Sequence, residues 1–301
     1  MPIDRHLIST KQLERSWTEQ EIFAACERIR TGNAVSERLK GQSLYCLFYE
    51  PSFLTRTSFE RAIGLMGGTA YHTEDASQFF PVQTPNFIDN IIGMLASLHI
   101  DLVVLRSSEE GAMDRAAEVD AVPIINGGNQ ADHPTQALAD VYTLHRELDG
   151  VDGAEIAVVG RLEHRNVSAL LTGLTMFSDV SVTLVPLSGQ ADPDVVEYCQ
   201  KRGLRLTTET DVEVVRSADA IYLNAPRTIA HAQLLRSRGY MTVRIDAEFM
   251  SMLKPSCVIL DPMQRSGDFP IEVQDDRLAF YRQAENALFV RMALLSHILG
   301  R

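Results

Sequence analysis

The chain has 301 residues, 45% of them apolar and 23% charged, with a formal net charge of −12. That length exceeds a single hydrophobic core, so two domains of about 150 residues are expected, and the composition excludes a disordered or fibrous protein. The acidic balance argues against a nucleic-acid binder, and the absence of an apolar run of roughly 18 residues argues against a membrane span.

Apolar runs alternate with amphipathic stretches from end to end, the pattern of parallel sheets with helices on both faces. Residues 1–10 lack the apolar core of a secretory signal, so a cytoplasmic location is expected. The periodicity predicts a helix over 18–30, a strand over 43–49 and helices over 56–66 and 86–97. A strand over 102–105, a helix over 110–119, a strand over 123–126 and a helix over 135–148 follow. Turn residues at 148–154 mark a break. Beyond it come a strand over 155–159, a helix over 167–176, a strand over 181–185, a helix over 193–202, a strand over 220–223, a short helix over 248–252 and a strand over 257–260. A strongly apolar helix over 285–299 ends the chain. The expected class is α/β, with two doubly wound parallel-sheet domains: 1–148, closed by the C-terminal helix 285–301, and 149–284. Cys26, Cys46, Cys199 and Cys257 have no Cys-x-x-Cys spacing and read as reduced, mostly buried thiols. The eight histidines show no metal-ligand spacing, so no metal is expected.

In open α/β sheets, ligands bind beyond the carboxyl ends of the strands. Polar residues that follow predicted strands are therefore the site candidates. Ser52, Thr55 and Arg56 fall where a strand gives way to a helix, and an anion there collects backbone N–H, hydroxyl and guanidinium donors together. Helix capping explains Ser52 or Thr55 equally well. Arg106 directly follows the strand over 102–105, beside Ser107 and Ser108. His133, Pro134, Thr135 and Gln136 open the next helix, since Pro134 suits a first helical turn. His133 reads either as a structural cap or as a neutral imidazole that donates to a carbonyl. The strand over 155–159 leads into Gly160, Arg161, Leu162, Glu163, His164 and Arg165. The turn there has only Gly160, with no Gly-x-Gly-x-x-Gly to admit a pyrophosphate, which argues against a nucleotide-binding dehydrogenase.

These clusters, in this order, resemble the aspartate/ornithine carbamoyltransferase family. Ser52, Thr55, Arg56, Ser58, Phe59 and Glu60 match its first motif, Arg106 its second, and His133, Pro134 and Gln136 its His-Pro-x-Gln. Residues 281–295 resemble its closing helix. The resemblance implies transfer of a carbamoyl group from carbamoyl phosphate to the amine of a carboxylate-bearing acceptor, aspartate-like or a specialised amino acid. The products would be a ureido compound and phosphate. It implies no cofactor or metal, a homotrimer with sites at subunit interfaces, Ser52, Thr55, Arg56, Ser77 and Gln78 on the phosphate, and Thr55, Arg106 and His133 on the carbonyl oxygen. Gln136 would orient the carbamoyl NH₂. On the acceptor side it implies Arg165 for the α-carboxylate and the backbone carbonyl of Met263 for the amine, with Glu163, Arg227 and Asp261 as further contacts.

Several positions depart from the family pattern. Leu54 stands where the motif has an Arg, and Gln83 lies near a position that aspartate-specific members fill with Lys. After the strand over 220–223, Ala225 replaces the Arg of the aspartate side-chain clamp and Arg227 stands at its Gln. Asp261 replaces a usual His. These changes favour a carbamoyltransferase with an altered acceptor. A second reading is a non-catalytic homologue that binds a ligand or stabilises a partner subunit.

Overall fold

The computed structural model describes residues 3, 5–32, 37–73, 75–78, 87–225, 244–262 and 271–300. The chain divides into two compact units, Met1–Leu138 with Asn286–Arg301 and Ala139–Glu285. Each is built on its own parallel sheet.

In the first unit, residues 15–30 are helical throughout, as α1 (Arg15–Trp17), a π-helical stretch (Thr18–Phe23) and α2 (Ala24–Arg30). Then come β1 (Ser43–Phe48), α3 (Phe53–Leu65), β2 (Thr69–Thr73), α4 (Phe87–Ser97), β3 (Leu102–Arg106), α5 (Ala112–Glu118), β4 (Ile124–Asn126) and the start of α6 (Pro134–Glu147). The strand order is β2-β1-β3-β4. All five residues of β3 are buried, as a central parallel strand covered on both faces requires. Leu47, Ile92, Val103, Leu105 and Ile124 belong to its core. The strand β2 is absent from the sequence reading because it lies at the sheet edge with largely exposed faces, so its residues carry no apolar period. Helix α3 begins at Phe53 rather than at Arg56. Pro51 precedes the turn, and its ring disfavours a helical residue before it, so the helix opens once that constraint has passed.

The second unit holds β5 (Glu155–Arg161), α7 (Arg165–Leu174), β6 (Ser181–Ser188), α8 (Pro193–Lys201), β7 (Arg205–Thr208), β8 (Ala220–Asn224), α9 (Ala247–Met252) and β9 (Val258–Leu260). Its strand order is β7-β6-β5-β8-β9, around a core that includes Ala157, Val159, Ile221, Leu223 and Ile259. β7 is another exposed edge strand missed for the same reason. The last helix, α10 (Phe280–Leu299), starts ahead of residue 285, because its polar opening includes the buried Gln283, which apolar periodicity does not register. Among the described residues no helix is long and apolar enough to cross a membrane.

In both sheets the chain reverses its direction of winding at an inner pair of strands, between β1 and β3 and between β5 and β8. A crevice opens at the carboxyl ends of such pairs, because the helices that follow the two strands leave on opposite faces. The paired residues there are Phe48 with Arg106 and Gly160 with Asn224.

Candidate active site

The first crevice begins with Ser52, which takes an extended conformation at the N-cap of α3 and makes no capping side-chain hydrogen bond. Capping therefore does not account for its hydroxyl. The residues that follow form the first helical turn, whose N–H groups have no partner one turn earlier and carry the positive end of the helix dipole. Thr55 in that turn is buried, and its Oγ1 lies 3.4 Å from Nε2 of His133.

Arg106 is only 4% exposed at the end of β3. Its guanidinium donates to the Gly127 carbonyl at 2.9 Å and lies 4.0 Å from the Glu50 carboxylate, which also accepts a hydrogen bond from Ser108. Gly128 shows how closely these groups gather. A Cβ placed on it would stand 2.6 Å from the Arg106 guanidinium and 3.4 Å from His133 Nε2, and its φ is +110°. Only glycine combines that backbone with that space. Thr55, His133 and Arg106 thus gather at one place.

His133 immediately precedes α6, and its carbonyl accepts from the N–H groups of Gln136 and Ala137. Its Nδ1 lies 3.4 Å from the Thr135 hydroxyl. Gln136 is buried in the first turn of the helix. Arg56 is directed along α3, with Nε 3.7 Å from Glu60, whose carboxylate also holds His72 at 2.7 Å. Ser77 is exposed, and its hydroxyl and N–H both bond Asp75 within the turn Ala76–Gln78. These bonds are local to the turn. Gln78 ends that turn, and Gln83 lies outside the described residues.

At the second crevice, His164 is the N-cap of α7 and its Nδ1 accepts from the Asn166 N–H at 3.3 Å. A neutral ring in that arrangement carries its proton on Nε2. Arg165, the first residue of the helix, is buried. Glu163 is engaged by Arg161 at 2.9 Å and packs against Gly189. Asn224 donates to the Arg161 carbonyl at 2.6 Å, while its own side-chain oxygen is buried without a hydrogen-bond partner. Asp261 is buried, and its N–H donates to Gln283 at 2.8 Å. Gln283 in turn donates to Asp140 at 2.7 Å, and Tyr222 donates to the other oxygen of Asp140 at 2.9 Å. Burial, and then the charges of Asp140 and Asp261, hold the Tyr222 phenol well above its ordinary pKa. Arg227 and Met263 lie outside the described residues. Among the described residues no group of three His, Cys, Asp or Glu is placed to hold a metal ion.

Residues 5–146 match the family model of the aspartate/ornithine carbamoyltransferase carbamoyl-P binding domain, and residues 152–298 match that of the Asp/Orn binding domain. The chain belongs to the aspartate/ornithine carbamoyltransferase family. It is a carbamoyltransferase by family and by fold. The chloroplastic aspartate carbamoyltransferase of Arabidopsis thaliana is 33% identical over 304 residues, covering 97% of this chain and 77% of that protein. The aspartate carbamoyltransferase catalytic subunit of Pyrobaculum islandicum is 33% identical, with 98% of each chain covered. Aspartate transcarbamoylase from Trypanosoma cruzi, solved with carbamoyl phosphate and aspartate, superposes with a TM-score of 0.84 at 28% identity over 99% of each chain.

Within this carbamoyltransferase the sequence reading passed over Gly128, Asn224 and the Asp140–Tyr222 pair. The glycine doublet after β4 and the polar residue closing β8 were visible signals for the first two. Nothing local marks the third, because its members are brought together only by the fold.

Proposed function

We propose that the chain transfers the carbamoyl group of carbamoyl phosphate to the amine of a carboxylate-bearing acceptor of the aspartate kind, giving a ureido product and phosphate. The observation that carries the reading is the convergence of Thr55, Arg106 and His133. The first unit binds the donor in this reading: Ser52, Thr55, Arg56 and the opening of α3 hold its phosphate. Thr55, Arg106 and His133 donate to its carbonyl oxygen, and Gln136 orients its NH₂. The second unit binds the acceptor, with Arg165 on the carboxylate.

The uncharged amine attacks the carbamoyl carbon, and the carbonyl electron pair moves onto oxygen. The oxyanion so formed is held by the three donors, each contributing roughly 3 kcal/mol when fixed and aimed in advance. Collapse restores the carbonyl and breaks the bond to the phosphate oxygen, while the amine loses its extra proton to the departing phosphate. A neutral His133 suits this role, because the positive end of the α6 dipole disfavours an imidazolium. The relatives lend no support to a non-catalytic reading.

Two further readings belong to the proposal. A trimer is supported by the family resemblance and by the exposed Phe53 and Tyr71, which are 78% and 51% accessible; light scattering tests it. A cytoplasmic site of action is supported by the burial of all four cysteines, which suits thiols kept in a reducing compartment, and cell fractionation tests that. The transfer itself is tested by incubating the pure protein with carbamoyl phosphate and aspartate or related amino acids. Phosphate release matched by a ureido product is expected. A folded protein that releases no phosphate above the buffer rate with any acceptor contradicts the reading.

A further inference from the structure

The loop of residues 127–133, between β4 and α6, presents Gly127 and Gly128 to Arg106 and ends on His133. A segment far upstream grips it at both ends. At its start, Asn126 N–H donates to Leu7 O at 2.8 Å, Leu7 N–H donates to Ile124 O at 2.9 Å, and the Asn126 amide donates to Ile8 O at 2.9 Å. The same Asn126 side chain accepts from Gly128 N–H at 2.8 Å.

At the loop's end the Asp132 carboxylate accepts four hydrogen bonds. One oxygen takes the Ser9 hydroxyl at 3.0 Å and the Thr10 N–H at 2.7 Å; the other takes the Thr10 hydroxyl at 2.5 Å and the His133 N–H at 2.7 Å. Ser9 and Thr10 are themselves fixed by a capping box with Gln12. Inside the loop, the Asn129 side chain accepts from the N–H groups of Ala131 and Asp132.

We propose that Asp132 is a positioning residue for His133, anchored through Ser9 and Thr10, so that the N-terminal segment sets where the imidazole stands relative to Thr55 and Arg106. The kinetic part of this inference rests on the carbamoyl-transfer reading; the geometric part does not. The chemistry requires a carboxylate. Each of its oxygens receives one backbone N–H, which can only donate, so an Asn in either orientation would point its NH₂ at an N–H. Hydroxyls can turn to compensate, but backbone amides cannot. Loss of the clamp lets the loop relax, and a displacement of about 1 Å at a reacting group costs on the order of 100-fold in rate.

The test compares Asp132→Asn, Asp132→Ala and Thr10→Val with the wild-type chain. Two readouts are used: steady-state transfer kinetics, and the ¹⁵N resonances of the His133 imidazole, assigned by their loss in His133→Gln. Asp132→Asn and Asp132→Ala are expected to lower kcat about 10- to 100-fold with a much smaller change in KM for carbamoyl phosphate, because the opening of α3 is untouched. Thr10→Val is expected to change kcat in the same direction by less, and to add nothing when combined with Asp132→Asn. The His133 resonances should shift in every variant. Wild-type kcat in folded Asp132→Asn with only a lowered melting temperature would overturn the inference, leaving Asp132 as a structural pin. A wild-type chain with no transfer activity would refute the functional reading instead, and unshifted His133 resonances would then still refute the positioning role. If the Asp132 variants do not fold, Thr10→Val decides the matter by the same two readouts.

Discussion

Nε2 of His133 stands 3.4 Å from Oγ1 of Thr55, which joins the first turn of α3 to the residue that opens α6. The two residues are 78 positions apart, and Arg106 reaches the same place from β3. Three donors from three elements are thereby fixed before any substrate arrives, the condition under which they are most effective against developing negative charge.

Gly128 is the tightest point of this arrangement. Gly128→Ala would combine a left-handed backbone with a methyl group 2.6 Å from the Arg106 guanidinium. We expect kcat to fall by about 100-fold or more, with a stability loss of roughly 1 to 3 kcal/mol from strain. Transfer kinetics and a urea melt check the two parts.

Leu54 is half-buried. An arginine at this position therefore has room to reach solvent or a bound anion. Leu54→Arg is expected to tighten phosphate binding about tenfold or more, since a charge-assisted hydrogen bond contributes roughly 1.5 to 3 kcal/mol. Proximity to the positive end of the α3 dipole offsets about 0.3 to 1 kcal/mol of this. Calorimetric titration with inorganic phosphate measures the gain. A melting temperature lowered by many degrees would show that the side chain is packed after all.

Placement beyond buried parallel strands was readable because β3 and β5 are continuous apolar runs that end abruptly in polar residues. Arg106 could be found on that ground alone. The His133-Pro134 junction was readable too, since proline at a first helical position has a fixed local meaning. The edge strands β2 and β7 carry no such pattern, because little of their surface is buried. The start of α10 was hidden by Gln283, whose burial depends on Asp140 and the backbone of Asp261, far away in sequence. The fourfold bonding of Asp132 was hidden for a related reason: its partners Ser9 and Thr10 lie more than a hundred positions upstream. Arg227 and Met263 fall outside the described residues, so their roles stand on the resemblance.

The Tyr222 hydroxyl is a donor to a carboxylate in a buried place. Tyr222→Phe removes it and is expected to cost about 1.5 to 3 kcal/mol, the range for a hydrogen bond to a charged group. Chemical denaturation of the variant measures the loss. The phenol should also resist ionisation in the native state, as should that of Tyr49, which burial likewise raises, so ultraviolet titration should show at least two tyrosines that ionise only on unfolding.

Burial pushes the Cys257 thiol up from 9.0 to about 12, with Arg277 and Lys254 opposing the rise. A group whose folded pKa is raised stabilises the fold fully below its unfolded pKa, and that stability is lost as pH climbs towards the folded value. Stability should therefore hold up to about pH 9 and then fall by about 1.4 kcal/mol per pH unit for each such group. Denaturant midpoints across this range test the slope, and Cys257→Ala should lessen it by the share of one group. Thiol reagents at pH 8 should label the protein only as fast as it opens, since all four thiols are buried.

The most direct measurement is the rate of ureido product and phosphate formation from carbamoyl phosphate and aspartate by the wild-type chain, Arg106→Gln and His133→Gln. The account predicts matched formation of both products by the wild type and a fall in kcat of roughly 100- to 1,000-fold in each folded variant. Transfer by either variant at the wild-type rate would contradict it.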